Sequence, residues 1–370
     1  MVALFRCPRP QVGRLTRVAR LDFGLPFITL LILGAGLFTL NSAAPSDEFM
    51  RQVAFLGAAA VAIAALVWAG KVRLLRLTPY VYGASLVLLV LTYFMGTEVN
   101  GAKSWLYLGP LPGFQPSELA KLALILVLAQ ALNERPLKRI VDYLRVAALA
   151  LPPIGLVLIE PDLGSALVLV AITAGIVLVR GVPWRHLVVI VGLVGIAVPT
   201  VLLPNLKPHQ LERLVSFVDP YRDPQGTGYQ VIQSTIAVGS GGLLGKGYKA
   251  GTQSQLGFIP FRHTDFIFPV LAEEGGFVAS VALLLLYGLL FWRMLAMAAE
   301  CAFERDQLLI TGIVVLIGFQ VLVNIGVTLG VAPVTGITLP LVSYGGTSLV
   351  STLTALTFAW VVYRDRFVNW

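Results

Sequence analysis

The chain has 370 residues, of which 57% are hydrophobic and only 12% charged, with a mean hydropathy of +0.84. That balance excludes a string of soluble domains and predicts an all-α, polytopic membrane protein forming one membrane domain over 1–370. The formal net charge of +8 comes without any basic-aromatic patch, so no nucleic-acid partner is expected.

In chain order, Arg6, Arg9, Arg14, Arg17 and Arg20 precede an apolar run from Leu25 to Leu40. Ser42-Ala43-Ala44 behind it could serve as a cleavage site, but the many runs that follow favour an uncleaved first span. Further runs cover 53–69, 79–95, 117–132, 144–159, 163–179, 186–203, 266–292, 308–329 and 344–363, which predicts ten transmembrane helices. Several fall short of the ~20 residues that a perpendicular helix needs. Alternate loops carry the cations: Lys71, Arg73 and Arg76, then Arg135 to Arg145, Arg180 and Arg185, Arg293 and Arg305, Arg364 and Arg366. The positive-inside rule then puts both termini (1–24 and 364–370) in the cytoplasm and one large loop, 204–264 between helices 7 and 8, outside. Cys7 and Cys301 both fall on the cytoplasmic side, so no disulfide is expected.

The outer loop has its own pattern. Leu211 to Val218, which includes Arg213, reads as a short helix, and Gly228 to Val238 as a second one lying at the interface. The run Gly239 to Gly247 fails the P-loop pattern at Ser240 and Gly247. Two readings of it stay open: a nest of backbone N–H groups with Lys246 and Lys249, suited to an anionic headgroup, or simply a flexible loop.

Charges near the span ends carry the chemistry. Glu118 and Lys121 stand i, i+3 on one helix face, either paired with each other or with Lys121 offered to a phosphate. Glu160-Pro161-Asp162 makes a tight hairpin in which Asp162 can cap the next span. His263-Thr264-Asp265 lies where a polar loop enters an apolar run. A carboxylate at such a depth is a functional candidate, and the alternative is a helix N-cap at Thr264 or Asp265. Glu273 follows ~12 Å deeper on the same side, while Glu274 faces away toward a structural contact. Ser343 and Tyr344 open the last span through a glycine-rich entry. All of these clusters gather at the outer face, which suits a site for an anionic, lipid-linked substrate better than a proton relay crossing the bilayer.

The ordered stretches FQPSELAK (114–121), EPDLGS (160–165), DPQGTGYQVIQSTIAVGSGGLLGKG (223–247), GTQSQLGFIPFRHTDFIFPVLAEE (251–274) and LPLVSYGGTS (339–348) resemble the SEDS family of shape, elongation, division and sporulation proteins. GTQSQL with LPLVSYGGTS resembles its RodA, cell-elongation branch more than its FtsW, division branch. Two positions depart from the family pattern: Phe261 stands where a Glu is usual, and Ser104 where an Arg is. The resemblance implies a peptidoglycan glycosyltransferase of the bacterial cytoplasmic membrane that polymerises lipid II and releases undecaprenyl pyrophosphate. It implies Asp265 as general base, with Lys121, Arg213 and Lys246 as cations for the pyrophosphate. Glu118, Asp162, Trp105, Gln255, His263, Thr264, Ser343 and Tyr344 complete the expected binding set. No organic cofactor is expected; a divalent cation, Mg2+ or Mn2+, could take Asp265 or Glu118 as an oxygen ligand. A class B penicillin-binding protein, a transpeptidase, and the rest of the elongation machinery are the implied partners. Two other readings stay open: a lipid II flippase, or another polyprenyl-phosphate-dependent glycosyltransferase.

Overall fold

A computed structural model describes residues 22–368 apart from 100–101, 108–112, 134–136, 198, 201–203, 205 and 223–225. Arg6 to Arg20, Cys7, Arg135 and the end of the expected span 186–203 therefore lie outside the described residues. The chain runs α1 (Gly24–Ala43), α2 (Ser46–Met95), β1 (Thr97–Val99), β2 (Ala102–Trp105), α3 (Pro116–Ala131), α4 (Ile140–Ile159) and α5 (Leu163–Arg180). Then come α6 (Trp184–Ala197), α7 (Pro208–Val218), α8 (Thr227–Ser240), α9 (Thr252–Gln255), α10 (Ile267–Glu300), α11 (Glu304–Thr328) and α12 (Gly346–Arg364).

Among the described residues, seven helices are long and apolar enough to cross a membrane: α1, α2, α4, α5, α10, α11 and α12. This is a multi-pass membrane protein. The expected runs 53–69 and 79–95 belong to one element, α2, bent at Gly70, where φ is 69° and ψ 166°. A side chain rarely tolerates that backbone, and glycine permits it. Each half of α2 is ~36 Å long, enough for a ~30 Å hydrocarbon core. The all-α expectation needs one correction: β1 and β2 form an antiparallel hairpin that carries Trp105. Turn-rich, β-tolerant residues between two apolar runs leave no helical period there.

α12 packs along α2, α11 on α5, and α10 on both α1 and α11, around one apolar cluster that includes Leu124, Leu169, Leu290, Ile317 and Leu356. A smaller cluster of Val231, Ala237, Ile259, Phe266, Val327 and Val334 ties α8 and the turn before α10 to α11. It fixes the backbone immediately after Asp265.

α10 is also not continuous. Gly276 (φ 68°, ψ −165°) breaks it, freeing backbone groups that have no partner inside the helix. The glycine-rich run before α9 supplies the partners. The N–H groups of Lys246 and Gly247 donate to the carbonyls of Glu273 and Glu274, each at 3.0 Å. In return the N–H groups of Phe277 and Val278 donate to Gly242 and Leu243 at 2.9 and 3.2 Å. The backbones approach so closely that a Cβ on Gly245 would sit 2.1 Å from the Glu274 carbonyl oxygen. Neither of the two open readings, anion nest or flexible loop, describes the run: Gly241 to Gly247 is an ordered clip across a helix break, and the amides at Lys246 and Gly247 are spent on carbonyls.

Candidate active site

Residues 261–266 form the turn that delivers Asp265 to the start of α10. Phe261 begins it with φ 54°, an uncommon conformation for a bulky side chain, held by Thr264 and Phe266 N–H groups donating to the Phe261 carbonyl at 3.0 and 3.3 Å. The carbonyls of the next residues are pinned one by one. His263 accepts from the Tyr344 N–H at 2.8 Å, and Thr264 accepts from the Ser343 hydroxyl at 2.6 Å. Asp265 accepts from Asn324 Nδ2 at 2.8 Å, and the same amide reaches the Ile337 carbonyl at 2.8 Å. Three residues of 324–344, Asn324, Ser343 and Tyr344, therefore set the backbone of this turn. Its position is decided by long-range hydrogen bonds, which no local propensity encodes.

The capping alternative for Thr264 and Asp265 fails. The residue preceding α10 is Phe266, and no side chain caps that end; the Thr264 hydroxyl donates back to Phe261 at 3.2 Å. The Asp265 carboxylate accepts no hydrogen bond from any described residue and is half-buried, with Oδ2 3.9 Å from where a Cβ on Gly336 would stand. Burial pushes its carboxyl up to about 6, and the positive charge of Arg213 on α7 opposes the rise. Arg213 lies within ion-pair distance of no described carboxylate. The pair left over by the packing is thus an unsatisfied acid with a half-exposed guanidinium within electrostatic reach.

Beside them, His263 Nε2 approaches Glu48 Oε2 to 3.2 Å, and its ring meets Tyr344 edge-on at 5.9 Å between centroids. Burial lowers the His263 ring below the usual histidine range, partly offset by the Glu48 charge. Behind the turn, Gly164 of the 160–164 hairpin abuts the Thr335 carbonyl. Glu160 is buried there with both carboxyl oxygens unbonded among the described residues. Desolvation, then the Asp162 charge, pushes it up to about 8, so it stays protonated at neutral pH.

Several expected binding residues make contacts within the fold. Lys246 Nζ is taken by Glu273 at 2.7 Å and by the Thr252 hydroxyl at 2.7 Å. Glu273, expected deeper in the span on the same side as Asp265, also accepts the Gln253 and Ser254 N–H groups at 2.8 and 2.9 Å, capping α9. Gln255 donates to the Ser42 hydroxyl and to Glu274 Oε1, both at 2.9 Å, which staples the outer loop to α1. The structural contact expected of Glu274 is this one, completed by the Ser42 hydroxyl at 2.6 Å. Asp162 caps α5 through Ser165 N–H at 2.9 Å and accepts Gln115 at 3.2 Å. Ser343 serves backbone on both sides, accepting the Leu339 N–H at 2.9 Å. Lys121 and Glu118 pair at 2.6 Å, both buried, so the mutual-pairing alternative describes them in this structure. Trp105 is half-buried on its hairpin, joined to the 160–164 turn by Lys103 N–H donating to the Glu160 carbonyl at 3.2 Å.

Asn324 was not anticipated. It is an almost fully buried amide in the apolar run of α11, and its Oδ1 has no partner among the described residues. The signal was present: a polar residue inside a span is expensive and marks a partner or a site, as for Asp265.

The chain matches the profile of the cell cycle proteins FtsW, RodA and SpoVE over residues 17–366. It is 38% identical to the probable peptidoglycan glycosyltransferase FtsW of Thiomicrospira cyclica, over 94% of this chain and 93% of that protein. It is 41% identical to the peptidoglycan glycosyltransferase MrdB of Escherichia coli, over 78% of each. Among solved structures it resembles the rod shape determining protein RodA of Thermus thermophilus, with a TM-score of 0.74, 42% identity, and 96% of this chain and all of that one covered. It also resembles a chain of a peptidoglycan synthase complex that coordinates polymerization and crosslinking, with a TM-score of 0.84, 50% identity, and 95% and 99% covered. This chain therefore belongs to the FtsW, RodA and SpoVE family, the SEDS family that its motifs resemble.

Proposed function

We propose that this member of the family is a peptidoglycan glycosyltransferase that polymerises lipid II, with Asp265 as its general base. The activity is the one its curated relatives carry by name. The observation that carries the residue assignment is the Asp265 carboxylate, half-buried at a rigidly held turn yet hydrogen-bonded to no described residue. A carboxyl near 6 is largely ionised at neutral pH and still basic enough to take a proton in the transition state. It removes the proton from the 4-hydroxyl of the acceptor GlcNAc. The freed oxygen bonds to the anomeric carbon of the terminal MurNAc, and that carbon's bond to the pyrophosphate oxygen breaks, its electron pair leaving with undecaprenyl pyrophosphate.

Arg213 is the cation best placed for the departing charge. Lys121 could join it only by parting from Glu118. A divalent cation would be held by the Asp265 carboxylate together with substrate oxygens, and would supply positive charge for the departing pyrophosphate. No cluster of three or more His, Cys, Asp or Glu suited to a metal forms among the described residues, and Glu118 is engaged with Lys121.

The two halves of α2, with α3 and α6 as short spans, support a ten-span arrangement in the cytoplasmic membrane with the Asp265 end outside. The motif GTQSQL and the likeness to RodA support a role in elongation, alongside a class B penicillin-binding protein that crosslinks the product. The test is purified protein with lipid II in detergent, with the glycan resolved by size. Strands mean an enzyme, because transport needs two compartments. Absence of strands with an active partner present would overturn the reading.

A further inference from the structure

The end of the bundle opposite Asp265 holds a second feature. Glu48, at the His263 end of α2, and Gly70 lie ~33 Å apart along the helix at 1.5 Å per residue. At Gly70 the two halves of α2 diverge and open a cleft of about 530 Å³, lined by Trp68, Lys71, Arg73, Arg76 and Asp365. Two of its charges are already spent. Lys71 is buried against Asp306 at 2.8 Å, and Asp365 takes Arg364 at 2.9 and 3.1 Å and the Lys71 N–H at 3.2 Å.

Arg73 and Arg76 remain. Both are exposed, and neither lies within ion-pair distance of a carboxylate among the described residues. The Arg73 guanidinium stands 5.1 Å from the ring of Trp68, which is 79% exposed. A tryptophan beside an arginine at a span end is an interfacial anchor. One and two turns further along the same helix face, Leu77 and Tyr80 are exposed as well. Two uncompensated cations at the mouth of a cleft, continuing directly into an exposed apolar stripe, complement an amphiphile with an anionic head.

We propose that the Gly70 cleft binds the headgroup of an anionic phospholipid, its phosphate on Arg73 and Arg76 and its chains along Leu77 and Tyr80. Guanidinium forks suit phosphate oxygens bidentately. The arginine-rich loops gather at this end, so the lipid belongs to the leaflet in which anionic headgroups concentrate.

The test is lipid titration of the purified full-length protein, followed by native mass spectrometry. Phosphatidylglycerol is compared with phosphatidylcholine of the same chains. The expected result is a preference of about tenfold or more for phosphatidylglycerol. It should be abolished in the Arg73→Gln, Arg76→Gln double variant and only partly kept in Arg73→Lys, Arg76→Lys, which retains the charge and loses the fork. An unchanged lipid-free melting temperature confirms that the variants fold. Equal retention of the two lipids by the wild type, or an undiminished preference in the Gln variant, would overturn the proposal. So would displacement of the lipid by millimolar inorganic phosphate, which would make the cleft a site for the free anion.

Discussion

Asp265 and Glu273 flank the same short stretch of chain and meet opposite fates. Glu273 is fully buried and accepts Lys246, the Thr252 hydroxyl and two backbone N–H groups. Asp265 keeps an open face and accepts none among the described residues, with only the charge of Arg213 in reach. One carboxylate has its lone pairs filled by the fold; the other has its backbone filled and its side chain left available. Hydrogen-bonding capacity left over at a rigidly held position marks chemistry better than charge or depth does.

The substitution Asp265→Asn tests the strongest form of that contrast. The amide keeps the shape and cannot take a proton at neutral pH, so polymerisation by the purified protein should fall ~10²–10⁴-fold with folding intact. Near-normal strands would erase the distinction between the two acids. Arg213→Ala should come next, lowering polymerisation ~10²-fold through the lost charge stabilisation. It also has a signature that packing damage lacks. The base works only when deprotonated, so wild-type activity should drop as pH falls through about 6. Removing the cation that holds Asp265 down should move that acidic limb to higher pH. A limb that stays in place would separate Arg213 from Asp265.

Glu273→Gln should do the reverse. It weakens charge-assisted bonds to Lys246 and the α9 amides, and should cost about 1–3 kcal/mol of stability, read as a lower melting temperature, while turnover per folded molecule stays unchanged. A loss of turnover without a loss of stability would put Glu273 in the chemistry. The smallest effect concerns Glu160. Its carboxyl titrates near 4.5 when unfolded and about 8 when folded, so between these values the native state holds a proton that the unfolded state has released. Stability should therefore decline as pH rises from 5 to 8, and Glu160→Gln should flatten that slope in thermal melts.

What the sequence discloses follows the range of the forces involved. Apolar runs read directly as helices, and a lone aspartate at the border of such a run already stands out as a candidate. α7 and α8 were equally readable, since Arg213 and its neighbours keep a helical period. The roles of Ser343, Gln255 and Lys246 were not readable, because each is decided by a partner far away in the chain: Thr264, Ser42 and Glu273. Their residue types suit a binding site as well as a staple. The break in α10 had one local trace, Gly275-Gly276 within an apolar run. Its meaning depends on the distant Gly242 and Leu243, which fill the opened backbone. Asn324 stood in plain view and needed only the rule already applied to Asp265.

The clip across Gly276 also has a consequence for biosynthesis. A nascent helix that reaches the bilayer with the carbonyls of Glu273 and Glu274 open would carry unsolvated polar groups into hydrocarbon, at several kcal/mol each. The segment that closes them, Gly241 to Gly247, precedes the break in sequence and so leaves the ribosome first. Synthesis from the N-terminus delivers the lock before the part it must hold. A circular permutation that moved 241–255 behind α10 would keep every contact of the finished fold and still present the membrane with an unfinished helix.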